Sequence, residues 1–231
     1  MSNIVLINAS GVGSRFNSDI PKQYHIINNK PVIYYTLNIF QNNNFIDEIY
    51  VIAKEEYFED IFLICQQYGF TKFKSCIKGG RSANESRYNG LRGISCKDND
   101  LIIMHDAVRV CIKDETITKL INLGLEYGYC VCGQMINANI FISNIDDYVI
   151  DIDIPSKRIF LNAMPFVCRY DILMKSFNQG LEKLDDTAGP MGVLTKNSEI
   201  KVFPKVEIDF IESFKITYSE DINFIKKFLD K

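Results

Sequence analysis

The sequence lacks several features that would assign a protein to a class at once. It has no apolar run of roughly 18 residues or more, so we expect no membrane-spanning helix. Its start has no basic segment of the kind found in signal peptides. Lysine and arginine number 26 against 29 aspartates and glutamates. A chain without a basic excess is a poor general binder of nucleic acid, although it can still hold a local cationic pocket for a small anion.

Metal-binding side chains are also scarce. The chain has only 2 histidines, and its 7 cysteines are an odd number, several of them within apolar runs. Zinc sites need four such ligands close together, so we expect none, although Cys130 and Cys132 are close in sequence. Without an export signal, the thiols are expected to be reduced and the protein cytoplasmic.

The glycine-rich start lacks two common nucleotide-binding signatures. It does not match the pattern G-x-x-x-x-G-K-[ST] of a P-loop. Phe16 stands where the dinucleotide fingerprint has its third glycine, and the second predicted strand ends at Ala53-Lys54 without the acidic residue that binds an NAD ribose. A P-loop and an NAD-binding oxidoreductase are therefore both disfavoured.

No linker, repeat or low-complexity tract divides the 231 residues, which fits a single domain. Short apolar runs alternate with segments of helical periodicity, an order typical of βαβ units with a parallel sheet. We therefore predict an α/β fold with three layers and a mostly parallel sheet. The predicted strands are 4–9, 48–53, 73–77, 101–104, 129–133, 200–203 and one ending near residue 215, and the predicted helices are 31–42, 55–68, 82–94, 115–127, 169–181 and 219 onward.

This alternation breaks between about residues 134 and 160. Residues 140–154 are rich in strand-forming side chains interrupted by Asn, Asp and Pro, a pattern that predicts an antiparallel hairpin with its turn at Asn144–Asp147. An exposed apolar hairpin needs a partner. We therefore predict a β-arm at about 134–160 that projects from the sheet.

The loop after the first strand carries the first candidate functional residues. It has the spacing G-x-G-x-R, and Lys22 follows seven residues after Arg15 in a Pro-Lys-Gln context. Glycines let backbone N–H groups approach phosphates closely, and the two cations would neutralise them. A tight turn alone would explain a bare G-x-G, but the two cations favour phosphate binding.

Further candidates follow other strands, at the edge where ligands of parallel sheets bind. Asp106 ends a buried strand, a usual position for a magnesium ligand, with a turn or capping aspartate as the alternative. Gly79 and Gly80 end another strand, and Ser86 in the next helix could hydrogen-bond a base or ribose or be an ordinary helix serine. Lys215, predicted late in a strand, could reach the same pocket, although a solvated lysine is the simpler interpretation.

Together these motifs resemble those of the cytidylyltransferases that make CDP-alcohols, namely the 2-C-methylerythritol 4-phosphate enzyme and its ribitol-5-phosphate relatives. Their order and approximate spacing hold across nearly the whole chain, at Ala9–Arg15, Pro21–Tyr24, Gly79–Leu91, His105–Arg109, Asp185–Ala188 and Ser213–Thr217. The resemblance implies a Rossmann-like nucleotidyltransferase domain over residues 1–231. It implies that an alcohol phosphate attacks the α-phosphorus of CTP, with Mg²⁺, and releases pyrophosphate. It also implies a homodimer in which the β-arm closes part of the neighbouring active site.

The resemblance assigns roles to individual residues as well. Arg15, Lys22 and Lys215 would neutralise the charge that builds in the transition state, and Asp106 would hold Mg²⁺. The residues that would bind the nucleotide are Ala9, Ser10, Gly11, Gly13, Gly79, Gly80, Ser86 and Ala107.

The acceptor half departs from the family pattern. The family's Gln-Thr-Pro-Gln segment reads Ala163–Phe166, the polar segment beside the arm reads Gln134–Asn139, and Ala83 stands where an arginine is expected. Arg109 and Arg158 remain as candidates to grip the acceptor phosphate. We therefore expect CTP as the nucleotide and a polyol phosphate resembling ribitol 5-phosphate as the acceptor. Methylerythritol 4-phosphate is the alternative acceptor, and a catalytically silent nucleotide-binding module is the alternative from another class.

Overall fold

The computed structural model describes residues 1–13, 15–136, 159–179, 192–194 and 203–230. Its strands are β1 (Asn3–Asn8), β2 (Ile26–Ile27), β3 (Lys30–Pro31), β4 (Glu48–Ala53), β5 (Phe73–Lys78), β6 (Leu101–Asp106), β7 (Tyr129–Met135), β8 (Phe160–Arg169) and β9 (Lys205–Glu207). Its helices are α1 (Val32–Asn42), α2 (Phe58–Gln67), α3 (Ala83–Gly93), α4 (Asp114–Tyr127), α5 (Tyr170–Asn178), α6 (Phe210–Ser213) and α7 (Asp221–Leu229). No helix in these ranges combines the length and the apolar character that crossing a bilayer requires.

A seven-stranded sheet with the order β5-β4-β1-β6-β8-β7-β9 forms the centre of the fold. β1 pairs in parallel with β4 and β6, β4 with β5, and β7 with β9, whereas β8 is antiparallel to both of its neighbours. The register places Asn8 opposite Asp106 at the carboxyl ends of β1 and β6. The predicted α/β fold with a mostly parallel sheet is therefore confirmed.

The two faces of the sheet carry separate apolar cores. In β1, Val5 and Ile7 enter the core that α1 and α4 cover, while Ile4 and Leu6 enter the core that α3 and α5 cover. Each of these four side chains is at most 1% exposed. Neither face of a strand covered in this way meets solvent, which explains the unbroken apolar run of β1. The helices on both faces of the sheet confirm the three layers.

The antiparallel strand β8 is the element that the sequence analysis missed. Pro165 interrupts its apolar run, and a proline argues against a central strand because it cannot donate to the ladder. The structure accommodates it where the pairing of β7 with β8 shifts register between Val131 and Gly133. The ladder with β6 ends at Phe166, one residue after the proline. The missing N–H therefore falls at an irregularity rather than within a regular ladder.

The C-terminal part differs from the prediction. Residues 214–217 form a loop between α6 and α7, so the strand expected to end near Lys215 is wrong. Asp209 starts α6 instead, because its carboxylate accepts the N–H of Glu212 at 2.9 Å. The strand expected at 200–203 falls mostly on residues 200–202, which lie outside the described residues.

The predicted β-arm lies largely outside the described residues, which omit 137–158. Its flanks are described and they pair. Gln134 faces Leu161 and Met135 faces Phe160 in the antiparallel ladder of β7 with β8, and Ile136 N donates to Ile159 O at 3.1 Å. The two ends of the segment are therefore adjacent, as the base of a hairpin requires, and the arm itself stays a prediction.

Candidate active site

Two adjoining cavities lie beyond the carboxyl ends of the parallel strands. The smaller, of about 310 Å³, is bounded by the loop after β1, the end of β6, α3 and the loop 214–217. The larger, of about 650 Å³, extends towards Gly79 and Gly80 at the end of β5. Asn8, Gly11 and Ala83 line both of them. This is the edge at which the sequence analysis placed the site.

The loop after β1 is fixed from behind by two amide side chains. Gln23, which is buried, donates through Nε2 to the carbonyls of Ala9 and Gly11 at 2.6 and 3.0 Å. The carboxamide oxygen of Asn8 accepts from Ser10 N at 3.2 Å and from Ser10 Oγ at 2.7 Å. These contacts fix the course of the loop and engage the carbonyls of Ala9 and Gly11 within the protein.

The N–H groups of this loop are available to a ligand. Among the described residues, no acceptor pairs with the N–H of Gly11, Val12 or Gly13. Gly13 has a φ of +69°, which glycine adopts without strain. Successive N–H groups in such a turn form an anion-binding concavity. Gly11 and Gly13 therefore lie in a loop with this geometry at the wall of the smaller cavity, and their phosphate-binding role stays a prediction.

Asp106 lies at the bottom of the smaller cavity between two cations. Its Oδ2 is 3.1 Å from Lys215 Nζ and 3.0 Å from Arg109 Nε. Burial by itself raises the pKa of this carboxyl, but Lys215 and Arg109 outweigh burial and hold the pKa well below its usual value. The carboxylate is therefore ionised at any physiological pH.

Lys22 and Arg15 complete the cationic wall. The Nζ of Lys22 donates to the carbonyl of Ile216 at 2.7 Å, and only 9% of the residue is exposed. Burial, together with the charge of Lys215, lowers the pKa of Lys22 to about 8. Arg15 is exposed, with its guanidinium 5.9 Å from the ring centre of Tyr218. Lys22, Lys215 and Arg15 therefore bring three cations to the smaller cavity.

Ser86 is buried, and its hydroxyl is already engaged within the protein. It donates to Ser82 O at 2.8 Å, accepts from Gly80 N at 2.9 Å and lies 3.0 Å from Ser10 Oγ. At Gly79, an added Cβ would lie 2.6 Å from the Cβ of Ser10. Ser86 therefore links the loops of β1 and β5, and Gly79 permits their close approach. The predicted hydrogen bond between Ser86 and a base or ribose would require the Ser86 hydroxyl to exchange one of these partners.

Ala9, Ala107 and Arg109 were predicted to contact substrates, and the structure gives each of them internal partners. The N–H of Ala9 donates to Ile52 O at 2.7 Å, and its carbonyl accepts from Gln23. The N–H of Ala107 donates to Asn8 O at 3.0 Å, and its carbonyl accepts from Thr36 Oγ1 at 2.9 Å. The guanidinium of Arg109 contacts Asp106 and the carbonyl of Ser213. In this conformation Arg109 orients Asp106 and is not presented to the cavities.

Several functional residues had no role in the sequence analysis. Gln23 stands within the quoted Pro-Lys-Gln motif, but its contribution is visible only once the loop is folded. Glu212 is 4% exposed and accepts from Thr116 Oγ1 at 2.6 Å and from Lys113 N at 3.2 Å. It thereby anchors the chain just before Lys215. Arg158 and the segment Asp185–Ala188 lie outside the described residues.

The described residues fit a magnesium ion at Asp106 only if a ligand completes its coordination. Within the described ranges, no three His, Cys, Asp or Glu side chains cluster as a metal site. Both cations contact Oδ2 of Asp106, and the residue lines the smaller cavity. Mg²⁺ in phosphate-binding sites is commonly held by one or two carboxylates together with phosphate oxygens and water. An ionised carboxylate at the wall of a cavity that Lys22 and Lys215 also line fits that donor set.

Comparison with known proteins gives matches over the whole chain. Residues 3–231 match the sequence family described as 2-C-methyl-D-erythritol 4-phosphate cytidylyltransferase. A protein of that name from Clostridium botulinum (strain ATCC 19397 / Type A) is 32% identical over 230 residues, which are 99% of this chain and 98% of the relative. A protein named ribitol-5-phosphate cytidylyltransferase, from Lacticaseibacillus paracasei, is 27% identical over 185 residues, 77% of this chain and 76% of the relative.

A solved structure gives the same fold. The crystal structure of 4-diphosphocytidyl-2C-methyl-D-erythritol synthase from Anaerococcus prevotii superposes with a TM-score of 0.82 at 20% sequence identity. The superposition covers 100% of this chain and 96% of that chain. At this identity the likeness concerns the fold, and it confirms the predicted nucleotidyltransferase architecture.

Proposed function

The chain belongs to the 2-C-methyl-D-erythritol 4-phosphate cytidylyltransferase family, and from this premise we propose that it transfers the cytidylyl group of CTP to 2-C-methyl-D-erythritol 4-phosphate. Membership makes it a nucleotidyltransferase and, more closely, a cytidylyltransferase. The observation that carries the proposal is the cationic cavity in which Lys22 and Lys215 face an open N–H loop and one ionised carboxylate, Asp106.

The acceptor is the point at which this proposal departs from the sequence analysis. There the altered segments Ala163–Phe166 and Gln134–Asn139, together with Ala83 in place of an arginine, favoured ribitol 5-phosphate, and the first of these segments is the one that the structure describes in full. In the fold this segment lies in β8, and its Met164 and Phe166 are 7% and 0% exposed. Their side chains pack in the core, so their change from polar residues gives little information about an acceptor. The family and the 32% identical relative then favour methylerythritol 4-phosphate.

Ribitol 5-phosphate remains as the second candidate because a relative named for that substrate covers 77% of this chain. Both candidates are small polyol phosphates and require the same chemistry. An assay of pyrophosphate release with each acceptor distinguishes them.

In the proposed reaction, a phosphate oxygen of the acceptor attacks the α-phosphorus of CTP. A new P–O bond forms, and the bond from the α-phosphorus to the bridging oxygen breaks. Pyrophosphate leaves with that electron pair. The attacking phosphate is already a nucleophile, so catalysis consists of positioning and charge neutralisation and needs no strong base.

The charge of the site supports these roles. Burial is the largest cause of the lowered pKa of Lys22, and repulsion from Lys215 and Arg15 adds to it. A triphosphate would relieve this repulsion and gain the loop N–H groups as donors. We assign the β- and γ-phosphates to Gly11, Gly13, Arg15 and Lys22. Lys215 would neutralise charge at the reacting phosphorus.

Asp106 is the residue that would hold Mg²⁺, which would neutralise phosphate charge when bound. For this, the Oδ2 contacts with Lys215 and Arg109 are an advantage, since they orient the carboxylate at the wall of the cavity. Arg109 would then act on the acceptor phosphate only after releasing Asp106 or Ser213, and Arg158 keeps its proposed acceptor role.

The larger cavity suits the cytosine and ribose. It adjoins the anion-binding loop, and Gly79 and Gly80 at its wall leave the backbone accessible. A nucleotide with its base at this position would have its α-phosphate near Asp106 and its β- and γ-phosphates near Lys22. Ser10 and Ser86 would shape the wall, with Ala9 and Ala107 supporting the loop from behind.

The remaining part of the proposal concerns assembly. We propose one nucleotidyltransferase domain over residues 1–231, with an arm at about 134–160 that forms a homodimer and completes the partner's site. The paired flanks at Gln134 and Leu161 support a projecting hairpin. Deletion of Asn144–Asp147 should convert a dimer into a monomer in light scattering, and an unchanged dimer would contradict the assignment.

The deciding experiment measures pyrophosphate release with Mg²⁺, each of the four nucleoside triphosphates, and a panel of acceptors. Release with CTP and methylerythritol 4-phosphate is the expected result. Release with ribitol 5-phosphate alone would establish the second candidate. CTP binding without release for any acceptor would favour a silent nucleotide-binding module. Lys215→Ala should lower the rate of pyrophosphate release with the fold intact, and Lys226→Ala, an exposed change on α7, is its control.

A further inference from the structure

The smaller cavity contains a cation that has no part in the roles assigned above. Arg87 of α3 lines it together with Asp106 and Lys215. Arg87 belongs to α3, whereas Lys22 follows the loop after β1 and Lys215 lies in the loop 214–217. The cavity therefore receives positive charge from a third element besides those of its two lysines.

The space for this side chain is provided one helical turn earlier. Ala83 precedes Arg87 by four residues, so both lie on the same face of α3, and Ala83 lines the cavity too. Helical side chains lean towards the N-terminus of their helix, which directs the long Arg87 side chain over the methyl group of Ala83. A larger residue at position 83 would occupy that space.

The guanidinium of Arg87 is oriented by a buried partner. Its Nη1 donates to the carboxamide oxygen of Asn84 at 2.9 Å, and Asn84 is only 2% exposed. The positive charge is felt at the centre of the site, because Arg87 is one of the cations that lower the pKa of Asp106. A guanidinium held in this way can present its planar donors to a phosphate group without first becoming ordered.

The position of α3 indicates which phosphate this is. The helix begins directly after Gly79 and Gly80, which line the larger cavity, and Ala83 belongs to both cavities. A nucleotide with its base in the larger cavity and its terminal phosphates at Lys22 must pass its α-phosphate through the junction between them. Arg87 lies one turn from that junction.

We propose that Arg87 binds the α-phosphate of CTP and stabilises the charge that develops there during transfer. This inference rests on the proposed function and adds a contact from α3 to the loop and lysine contacts. The cation comes from a different element than Lys215, so that charge neutralisation at the reacting phosphorus does not depend on the loop 214–217 alone.

The test compares Arg87→Gln with a matched change, Arg92→Gln, on the same helix. Arg92 is exposed and contacts the ring of Tyr88 at 5.7 Å, away from both cavities. Arg87→Gln should weaken binding of CTP and of inorganic tripolyphosphate about ten- to a hundredfold and lower kcat by a similar factor. Arg92→Gln should leave all three quantities within twofold of the unsubstituted protein. Thermal unfolding shows whether each variant is folded.

A relocated arginine separates binding from a structural role. The double variant A83R/R87Q returns the cation to the same helix face one turn earlier and should recover part of the lost affinity and kcat. Arg87→Lys retains the charge but lacks the planar donors. Its CTP affinity and kcat should therefore lie between those of the unsubstituted protein and those of Arg87→Gln. A purely structural role would leave the relocated variant as poor as Arg87→Gln.

The outcomes keep this inference distinct from the proposed function. If the unsubstituted protein turns over and Arg87→Gln is within twofold of it, the role of Arg87 is refuted while the function stands. If no nucleotide and acceptor pair turns over, the proposed function fails, and tripolyphosphate binding still decides about Arg87. In that case, equal affinity of the unsubstituted protein and Arg87→Gln for tripolyphosphate would refute the role of Arg87.

Discussion

Lys22 and Ile216 are 194 residues apart in sequence, and the ammonium of the first donates to the carbonyl of the second at 2.7 Å. This bond joins the segment after the anion-binding loop to the loop that carries Lys215. It also leaves Lys22 close enough to Lys215 for the charge of Lys215 to add to burial, which is the larger cause of the lowered pKa of Lys22. The candidate site is thus assembled from both ends of the chain.

The first prediction concerns the pH dependence of CTP binding. Burial and Lys215 lower the pKa of Lys22 to about 8, while a bound triphosphate would raise it again. Between about pH 8 and pH 10 the free protein therefore holds less than one proton at Lys22, and CTP binding must take one up. Affinity should fall as the pH rises through this range, by up to about tenfold per pH unit.

Calorimetry in buffers of different ionisation enthalpy measures this proton uptake directly. At pH 8 we expect roughly half a proton taken up per CTP, from half-occupancy of a group with this pKa. Lys22→Arg keeps the charge but does not titrate in the range, so both the uptake and the fall in affinity should disappear. The same uptake in Lys22→Arg would assign the effect to another group.

The second prediction concerns acid stability. Lys215 and Arg109 overcome the effect of burial and hold the pKa of Asp106 below its unfolded value of 3.8. The stabilisation is therefore complete above about pH 4 and is lost as the pH falls below it. In Asp106→Asn this part of the acid dependence should be absent, as measured by urea unfolding at pH 2.5 to 7. An equally steep loss in the variant would show that the ion pairs with Asp106 do not stabilise the fold.

The same variant tests the metal role. Asp106→Asn should lower turnover by about 10²–10³-fold, the loss typical of one electrostatic group in an active site, and raise the Mg²⁺ concentration needed for half-maximal rate. Full activity at unchanged Mg²⁺ would contradict the assignment. Asp209→Asn is the matched change, since Asp209 lies half-exposed in an ion pair with Lys113.

The fold and the location of the site could be predicted from the sequence for a physical reason. A parallel sheet covered on both faces requires unbroken apolar runs in its strands. Two of these runs end at Ala9 and at His105-Asp106, where candidate functional residues lie. Glycines and cations placed directly after those runs therefore indicate a ligand site. Ala9 and Asp106, with Lys22 and Lys215, do line the same cavity, whereas His105 is buried beneath it.

The contacts within the site could not be predicted in the same way. Arg109 has the residue type of a phosphate ligand, but its neighbours in space, Asp106 and Ser213, decide that it is paired internally. Ser86 has the residue type of a ribose ligand, but its burial commits its hydroxyl to Ser82 and Gly80. The antiparallel β8 was missed because Pro165 contradicts a strand unless a register shift is already known. Each of these depends on tertiary neighbours that no local pattern contains.

The third prediction concerns Glu212, which anchors the loop of Lys215. Thr116 Oγ1 donates to its buried carboxylate at 2.6 Å. Thr116→Val removes this donor with little change of shape, and loss of a hydrogen bond to a buried charge should lower the free energy of unfolding by about 1–3 kcal/mol. Because Lys215 follows on the same loop, kcat should fall while the KM for CTP changes little.

Urea unfolding and steady-state kinetics measure these two effects, and Thr118→Val on the same helix is the control, since Thr118 lies 3.4 Å from Asn43, away from Glu212. A variant that loses stability but keeps kcat would show that the bond holds the fold without positioning Lys215.

The last prediction separates two glycines of the site by what surrounds them. A Cβ on Gly79 would lie 2.6 Å from the Cβ of Ser10, whereas a Cβ on Gly11 meets nothing within 4 Å. Gly79→Ala must therefore push apart the loops of β1 and β5 and should lower the melting temperature and CTP affinity together. Gly11→Ala should melt like the unsubstituted protein and still bind CTP at least tenfold more weakly, because its methyl group would occupy the space at the open N–H groups. Unchanged CTP binding in Gly11→Ala would mean that the triphosphate does not approach this loop.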